Sequence, residues 1–599
     1  MPADSEIVSV RIHPAIGLAR VGNSPEASFI GPEFPSMVPR DRGDFRDSEG
    51  RIKRQSARFR IYGLDRDGNV VREITARDAS IRWTVHLANK KAEWFAFRQA
   101  LDLPTAYNEV NLRRNKTVVG EDRSKLVIDP GQRSISGTNV NRRGGDARYA
   151  FDTGQFLGAS VYLGELRTDA EGRLLVLGGH GTSASPIHAP LHDVTNNDGW
   201  YDDVSDGSVD AEVAFADRTL SAIGSWVIVG PPDYAPGFHS VITGYDLLLD
   251  TAIRLQPSLM PDRPEFFRDI LPLFTRFSRL QWLNAGFMQE FGWGSPLDFS
   301  QPHLIRQLSD PSEARQALRQ AMFARFRDPA KPVFSGGLWP ELYGDNMFNL
   351  SAQVWPPQVL LAVLPSQYQW LRQWADGDFT ARRPGRRRWN DLSPAEQCES
   401  LDRAALLGMT GGPFQPGAEV SWPMRRSLLY SEPFRIKRRP FGEPQWGDRM
   451  TPPLALSAGG PLDGATPGDL TRWLACPWQT DTVSCLSAYG RRVSDYLPTF
   501  WPERAPNDVL TTAAYEIVLD PDRPIAEREA AFDSWERSKW LRDIAYDRAR
   551  PPNMKKAPYA AFLDDWANVG IVTRKPGPRR NRQFPPDFWV ETGPNVKPT

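Results

Sequence analysis

Proline and glycine interrupt this chain so often that they limit what it can become. With 53 Pro and 47 Gly among 599 residues, a residue that bends or breaks regular backbone comes on the order of every sixth position. That spacing argues against a helix bundle and for short elements joined by many turns. Twenty tryptophans must then supply much of the core, because a large ring buries more apolar surface than an aliphatic side chain. The expectation is a loop-rich, aromatic-packed molecule with sequence for about three to four domains.

Charge adds a second exclusion. Lys plus Arg equals Asp plus Glu at 73 each, so no overall field draws the chain to nucleic acid or to an anionic membrane. Two arginine-rich stretches, 382–388 and 579–582, lie in Pro- and Gly-rich sequence without periodic aromatics and are expected as solvated loop charge. The first residues lack a basic region followed by an apolar run, and no stretch reaches about 18 uninterrupted apolar residues. A soluble, cytoplasmic protein is expected, with later non-classical export left open. Three cysteines, Cys398, Cys476 and Cys485, are too few for a disulfide scaffold and leave at least one unpaired, which fits a reducing compartment.

Apolar periodicity changes along the chain. Residues 7–12 and 59–64 alternate or run apolar between Gly, Asp, Pro and Asn turns, as hairpin strands do. Residues 92–101, Ala-Glu-Trp-Phe-Ala-Phe-Arg-Gln-Ala-Leu, carry helical spacing and predict a short helix. Short strands are expected at 126–128, 161–166, 174–177, 211–215 and 226–229. Beyond residue 260 the spacing turns helical, over 264–274, 311–326, 366–376, 394–407 and 525–545, before a polar, Pro-rich tail after Arg574. The fold class expected is α+β. Its regions are a β-rich N-terminal part over 1–120, a β-sandwich-like part over 121–258, and a helical, loop-rich part over 259–599 that carries the chemistry.

Three local patterns invite a functional reading and yield a plainer one. His180, His188 and His192 with Asp193 are metal-ligand residue types, but their spacing fits neither a helical zinc protease nor a zinc finger, so hydrogen-bonded loop histidines and no metal are expected. Residues 196–207, Asn-Asn-Asp-Gly-Trp-Tyr-Asp-Asp-Val-Ser-Asp-Gly, have the acids and glycines of a calcium loop. However, Val204 stands where an oxygen ligand is needed and no Glu occupies the twelfth position. A packed turn that aims side chains into a site is expected instead. Gly178-Gly-His-Gly181 follows a strand, lacks the spacing of a dinucleotide loop, and is expected as a turn.

The chemistry concentrates in residues 473–485, Trp-Leu-Ala-Cys-Pro-Trp-Gln-Thr-Asp-Thr-Val-Ser-Cys. Pro477 predicts a loop entering a short helix, in which Asp481 and Cys485 stand four residues apart on one face. Cysteine is at once a nucleophile, a metal ligand and a partner for oxidative cross-linking, and a carboxylate within reach can move its proton. Trp473 and Trp478 flank this pair and are expected chiefly as packing.

Several blocks together resemble one family, the bacterial amino-acid oxidases with a cysteine tryptophylquinone (CTQ) cofactor, which include lysine ε-oxidase and glycine oxidase. They are Ile16-Gly-Leu-Ala-Arg-Val-Gly-Asn-Ser24, Trp83-Thr-Val-His-Leu-Ala-Asn-Lys-Lys-Ala92, Leu163-Gly-Glu-Leu-Arg-Thr-Asp169, residues 196–207, Gly411-Gly-Pro-Phe-Gln-Pro-Gly417 and Pro477-Trp-Gln-Thr-Asp-Thr-Val-Ser-Cys485. The resemblance implies that Cys485, four residues after Asp481, is cross-linked to a tryptophan oxidised to an ortho-quinone. Trp540, in Trp540-Leu-Arg542, best resembles the family context; Trp566 is the alternative, with Trp535 and Trp501 behind it. Gln415 matches a position near the quinone that varies among members, and Trp478 lies beside the cofactor segment.

What the resemblance implies is an amino-acid or amine oxidase. A primary amine forms a Schiff base on a quinone carbonyl, Asp481 takes the proton from the amine-bearing carbon, and hydrolysis releases the oxidised product. Dioxygen then reoxidises the cofactor, yielding ammonia and hydrogen peroxide. No glycine-rich FAD fingerprint is visible, so a separate flavin-dependent enzyme is implied for cofactor maturation; homo-oligomerisation is left open. Three other readings stay beside this one: action on a peptide or natural-product amine, a catalytically silent binding protein, and a cysteine-nucleophile hydrolase.

Overall fold

The computed structural model describes residues 7–593 except 36–44, 104–105, 332–336, 340, 343–359, 384, 386, 413–419, 441–443, 488–502, 505, 507, 534–557 and 579–582, with the side chains of 483–487 and 558–561 also outside the description. The described N-terminal part is built on one twelve-stranded sheet. Its strands are β1 (Ser9–His13), β2 (Ile16–Arg20), β3 (Ser28–Ile30), β4 (Arg54–Leu64), β5 (Val70–Ile74), β6 (Ser80–Ala88), β7 (Gln132–Ser136), β8 (Gly164–Thr168), β9 (Leu174–Gly178), β10 (Ser205–Ala214), β11 (Thr219–Ser221) and β12 (Ser225–Gly230). The order across it is β8-β9-β4-β2-β12-β10-β6-β7, with β1, β3 and β5 also on β4 and β11 on β10. Strands from 1–120 and from 121–258 therefore interleave in one sheet.

The alternation in β6 shows why it forms. Ile81, Trp83, Val85 and Leu87 point to one buried face, and nine consecutive pairs from Ser80 to Ala88 zip it antiparallel to β10. β4 is buried along almost its whole length, so its polar residues need partners. Arg54 meets Glu165 at 3.0 Å, and Arg60 meets Glu33 at 2.9 Å.

Helices dominate after residue 240. They include α1 (Gly244–Leu255), α2 (Leu271–Leu280), α3 (Pro365–Asp376), α4 (Pro394–Leu407), α5 (Trp478–Ser487) and α6 (Pro558–Asp565). α4 begins where its sequence says it should: Ser393 and Glu396 form a reciprocal capping box, with Pro394 at the first helical position. α3 ends at Gly377, whose φ of 87° suits the left-handed cap. No described helix is long and apolar enough to cross a membrane.

Among the described residues, the segments 92–101, 126–128 and the tail after Arg574 differ from their sequence expectation. Residues 92–101 form turns and an isolated bridge rather than a helix. Trp94, Phe95 and Phe97 are all buried there, with Trp473 5.0 Å from Trp94 and Trp422 5.3 Å from Phe97. Aromatic packing on several sides, together with the Ala96 N–H bond to the carbonyl of Leu112, overrides the helical spacing. Residues 126–128 contribute the end of a 3-10 turn and one bridge, not a strand. The tail after Arg574 is not all loop: β13 (Ile571–Pro576) pairs antiparallel with β14 (Asp587–Thr592), burying Phe588 and Val590. Nearby prolines, and the lack of a regular alternation in either strand, hide the pairing from a sequence reading.

Candidate active site

Helix α5 starts without a local cap. Pro477 offers neither an N–H nor a side-chain acceptor, so the first helical N–H must find its acceptor elsewhere. Asp202 supplies it, accepting the Trp478 N–H at 3.0 Å. The same carboxylate pairs with Lys91 Nζ at 2.7 Å, both side chains fully buried, and accepts from Asn89 Nδ2 at 3.0 Å. An anion at a helix N-terminus is favoured by the helix dipole, and a buried anion is tolerable only when every lone pair is used. Lys91 also donates to the carbonyl of Ala475 at 2.8 Å, so one lysine holds both the cap and the segment before it.

The rest of that segment is fastened to the sheet region in the same way. Asp206 on β10 accepts the N–H of Thr471 at 2.7 Å and the indole N–H of Trp226 at 3.0 Å; burial pushes its carboxyl up to about 6. Arg114 donates to the carbonyl of Leu474 at 2.9 Å. Cys476 exchanges backbone bonds with Thr195 and Asn197, and its thiol lies 3.2 Å from the carbonyl of Trp200. Burial, with Asp202 adding to it, pushes that thiol up to about 12. Buried and turned toward a carbonyl, it serves here as a packing group. Cys398 is likewise buried with its thiol pushed up.

Asp481 sits in the first turn of α5 and is 5% exposed. Loss of water is the largest influence on its carboxyl and holds its proton affinity well above the ordinary carboxylate range; Asp193 adds to the rise and Lys91 opposes it. A carboxyl whose proton affinity is raised by burial is a stronger base, once ionised, than one in water. Cys485 belongs to the same helix, one turn after Asp481; its side chain lies outside the described residues.

Trp566 is the one expected cross-link partner among the described residues, since Trp501, Trp535 and Trp540 lie outside them, as does Gln415. It is 5% exposed. Its ring meets Trp478 edge-on at 5.6 Å, and Phe562 on α6 meets Trp478 at 6.4 Å. Gly181 lies against the Trp566 ring in a left-handed turn, φ 79°, where a Cβ would overlap the ring. The indole N–H of Trp478 has no hydrogen-bond partner among the described residues.

The histidine group separates. His180 stacks on Tyr162 at 4.8 Å, whereas His188 and His192 are exposed. Among the described residues no group of three or more His, Cys, Asp and Glu could hold a metal. The acids of 196–207 bind protein groups: Asp198 takes the N–H of Asn115, Asp202 caps α5, and Asp206 holds Thr471. Lys91, Asp202 and Asp206 lie within the sequence blocks quoted above, yet no spacing rule assigns them this task, because their partners are hundreds of residues away. A cavity of about 1280 Å³ lined by Leu18, Gln55, Arg58, His239 and Leu401 lies elsewhere and includes none of α5 or Trp566.

Residues 13–229 match the L-lysine epsilon oxidase N-terminal family model, and residues 344–501 the L-lysine epsilon oxidase C-terminal domain model. The chain is 29% identical over 543 residues to the L-lysine 6-oxidase of Marinomonas mediterranea, covering 80% of this chain and 71% of that protein. It is also similar to the crystal structure of the Schiff base intermediate of L-Lys epsilon-oxidase from that organism with L-Lys, with a TM-score of 0.66 and 25% identity over 98% of this chain and 95% of that one. A further structure of the same epsilon-lysine oxidase gives a TM-score of 0.68 at 24% identity, over 98% and 94% of the two chains.

Proposed function

The chain belongs to the L-lysine epsilon oxidase family, and from that footing we propose that it is a quinoprotein oxidase that oxidatively deaminates a primary amine or amino acid. The electron acceptor in this reading is O2, and the products are ammonia and hydrogen peroxide. Unmodified side chains provide no electron sink able to oxidise an amine. The cofactor proposed is a cysteine tryptophylquinone made from Cys485 and either Trp540 or Trp566, whose quinone carbonyl supplies that sink. The residues present suit it: a cysteine one turn after a buried carboxyl, in a helix whose start is held by the N-terminal sheet region.

The chain's own groups then have definite tasks. Asp481 takes the proton from the amine-bearing carbon; its high proton affinity matches it to that exchange, and its burial keeps water from competing. Trp478 covers one edge of the Trp566 ring and is itself backed by Phe562, which helps to exclude solvent. Lys91 and Asp202 fix the first turn of α5 and so the position of Asp481. Gln415, a neutral amide, would contribute hydrogen bonds and no charge to the substrate.

The observation that carries the reading is the buried carboxyl of Asp481 in α5, one turn before Cys485. Co-production with a flavin-dependent maturing enzyme tests it. The intact mass should rise by about 28 Da, two oxygens gained and four hydrogens lost, and peptide mapping should find Cys485 joined to Trp540 or Trp566. The matured protein should release peroxide with a primary amine such as L-lysine. A free, alkylatable Cys485 in protein so prepared would overturn the proposal.

A further inference from the structure

Asp203 follows the carboxylate that caps α5, and no step outlined above uses it. It is 1% exposed. Its Oδ2 accepts the backbone N–H of Gly181 at 2.8 Å and of Thr182 at 3.0 Å, whereas Oδ1 has no hydrogen-bond partner among the described residues. The approach is this close because Gly179 faces it; a Cβ there would overlap the carboxyl.

The turn so held grips the site twice. The carbonyl of Gly181 accepts from Gln479 Nε2 at 3.1 Å, and Ser183 Oγ donates to Gln479 Oε1 at 2.7 Å, which ties the turn to the second residue of α5. Gly181 also presents bare backbone to the Trp566 ring. Burial pushes the Asp203 carboxyl up to about 7, helped by Asp202 and opposed by the N–H donors. The other titratable groups around it are Tyr201 on its own segment, pushed up, and His180 on the turn, pushed down by burial. Asp202 is paired with Lys91. A carboxyl with one oxygen fully used and the other buried and unpaired is least costly with a proton on the free oxygen.

We propose that Asp203 is a positioning residue: in its protonated form it holds turn 179–182 as the wall that seats the Trp566 indole and the first turn of α5, and so aims Asp481. Only the catalytic part of this rests on the oxidase reading.

Two substitutions test it. Asp203→Asn keeps a neutral acceptor in place of Oδ2, and Asp203→Ala removes it. In protein lacking the mature cofactor, amide hydrogen exchange over 179–183 and 478–482 should stay near wild type in the Asn variant and quicken about tenfold or more in the Ala variant. In matured protein the Ala variant should lose about tenfold or more in kcat with KM within about twofold, and the Asn variant should restore kcat. Wild-type exchange and kcat in Asp203→Ala would overturn the positioning role, as would a loss expressed in KM alone. An Asn variant that exchanges as fast as the Ala variant would overturn the protonated form; if Asp203→Ala does not fold, the Asn variant alone decides, with tenfold faster exchange counting against the proposal. The exchange arm needs no cofactor, so it separates a failure here from a failure of the oxidase reading.

Discussion

At position 481 a carboxyl group is shut away from water, and burial, with Asp193 adding to it, outweighs the opposing Lys91. A base must be ionised to take a proton, so turnover is expected to rise with pH through a value above the ordinary carboxylate pKa near 4. A rate profile already flat from pH 5 upward would remove Asp481 from that role. Asp481→Asn should cost about 10²-fold or more in kcat, the usual worth of a positioned base, without unfolding the protein; near-normal turnover would contradict it. Gly181 makes a stability prediction instead. Gly181→Ala adds a methyl group into the Trp566 ring at a φ of 79°, so a loss of about 2–4 kcal/mol is expected from overpacking and backbone strain together. Denaturant unfolding checks it, and a loss under about 1 kcal/mol would mean that Trp566 moves freely aside. Asp481 was legible in the sequence because position i and position i+4 of a helix need no tertiary information. The role of Gly181 was not, because nothing in Gly178-Gly-His-Gly181 shows which ring lies over it.

Helix α5 depends on groups far from it in the chain. Its cap, Asp202, is 276 residues away, and Lys91 neutralises that cap. Lys91→Met should cost about 3–5 kcal/mol, because it strands a buried carboxylate rather than merely losing an ion pair. Removing both charges with Asp202→Leu in the same chain should recover most of this, leaving a residue of about 1 kcal/mol for the lost cap. A double variant no more stable than Lys91→Met would show that the pair itself, and not the stranded charge, matters. α4 gives the contrast: its capping box and first-turn proline are all local, so its limits of 394–407 were readable directly. Residues 92–101 show the reverse, where spacing alone predicted a helix and aromatic contacts with Trp422 and Trp473 decided otherwise.

Across the molecule, two sets of buried or half-buried carboxyls pull stability in opposite directions with pH. Asp206 and Asp203, at about 6 and about 7, bind protons more tightly folded than unfolded, where the value is about 3.9. Their contribution is full below that unfolded value and is lost as pH rises through 6 and 7. Glu33, Glu165 and Asp102 are held low against arginines, so their contribution is present above about pH 4 and lost as pH falls through their lowered values. The melting temperature should therefore fall between pH 6 and 8, and Asp206→Asn should flatten part of that fall; a fall unchanged in the variant would assign it to other groups. By itself the sequence determined the α+β class, the short, turn-rich elements and the Asp481–Cys485 helix, because composition, periodicity and i to i+4 spacing act within a few residues. Only the tertiary structure decided the single interleaved sheet, the pairing of β13 with β14, and the buried Lys91, Asp202, Asp203 and Asp206 that hold α5, the turn beside it and the segment before it. Those arise where groups far apart in the chain lose water together, and a buried charge or unpaired N–H then accepts whichever partner the fold brings to it.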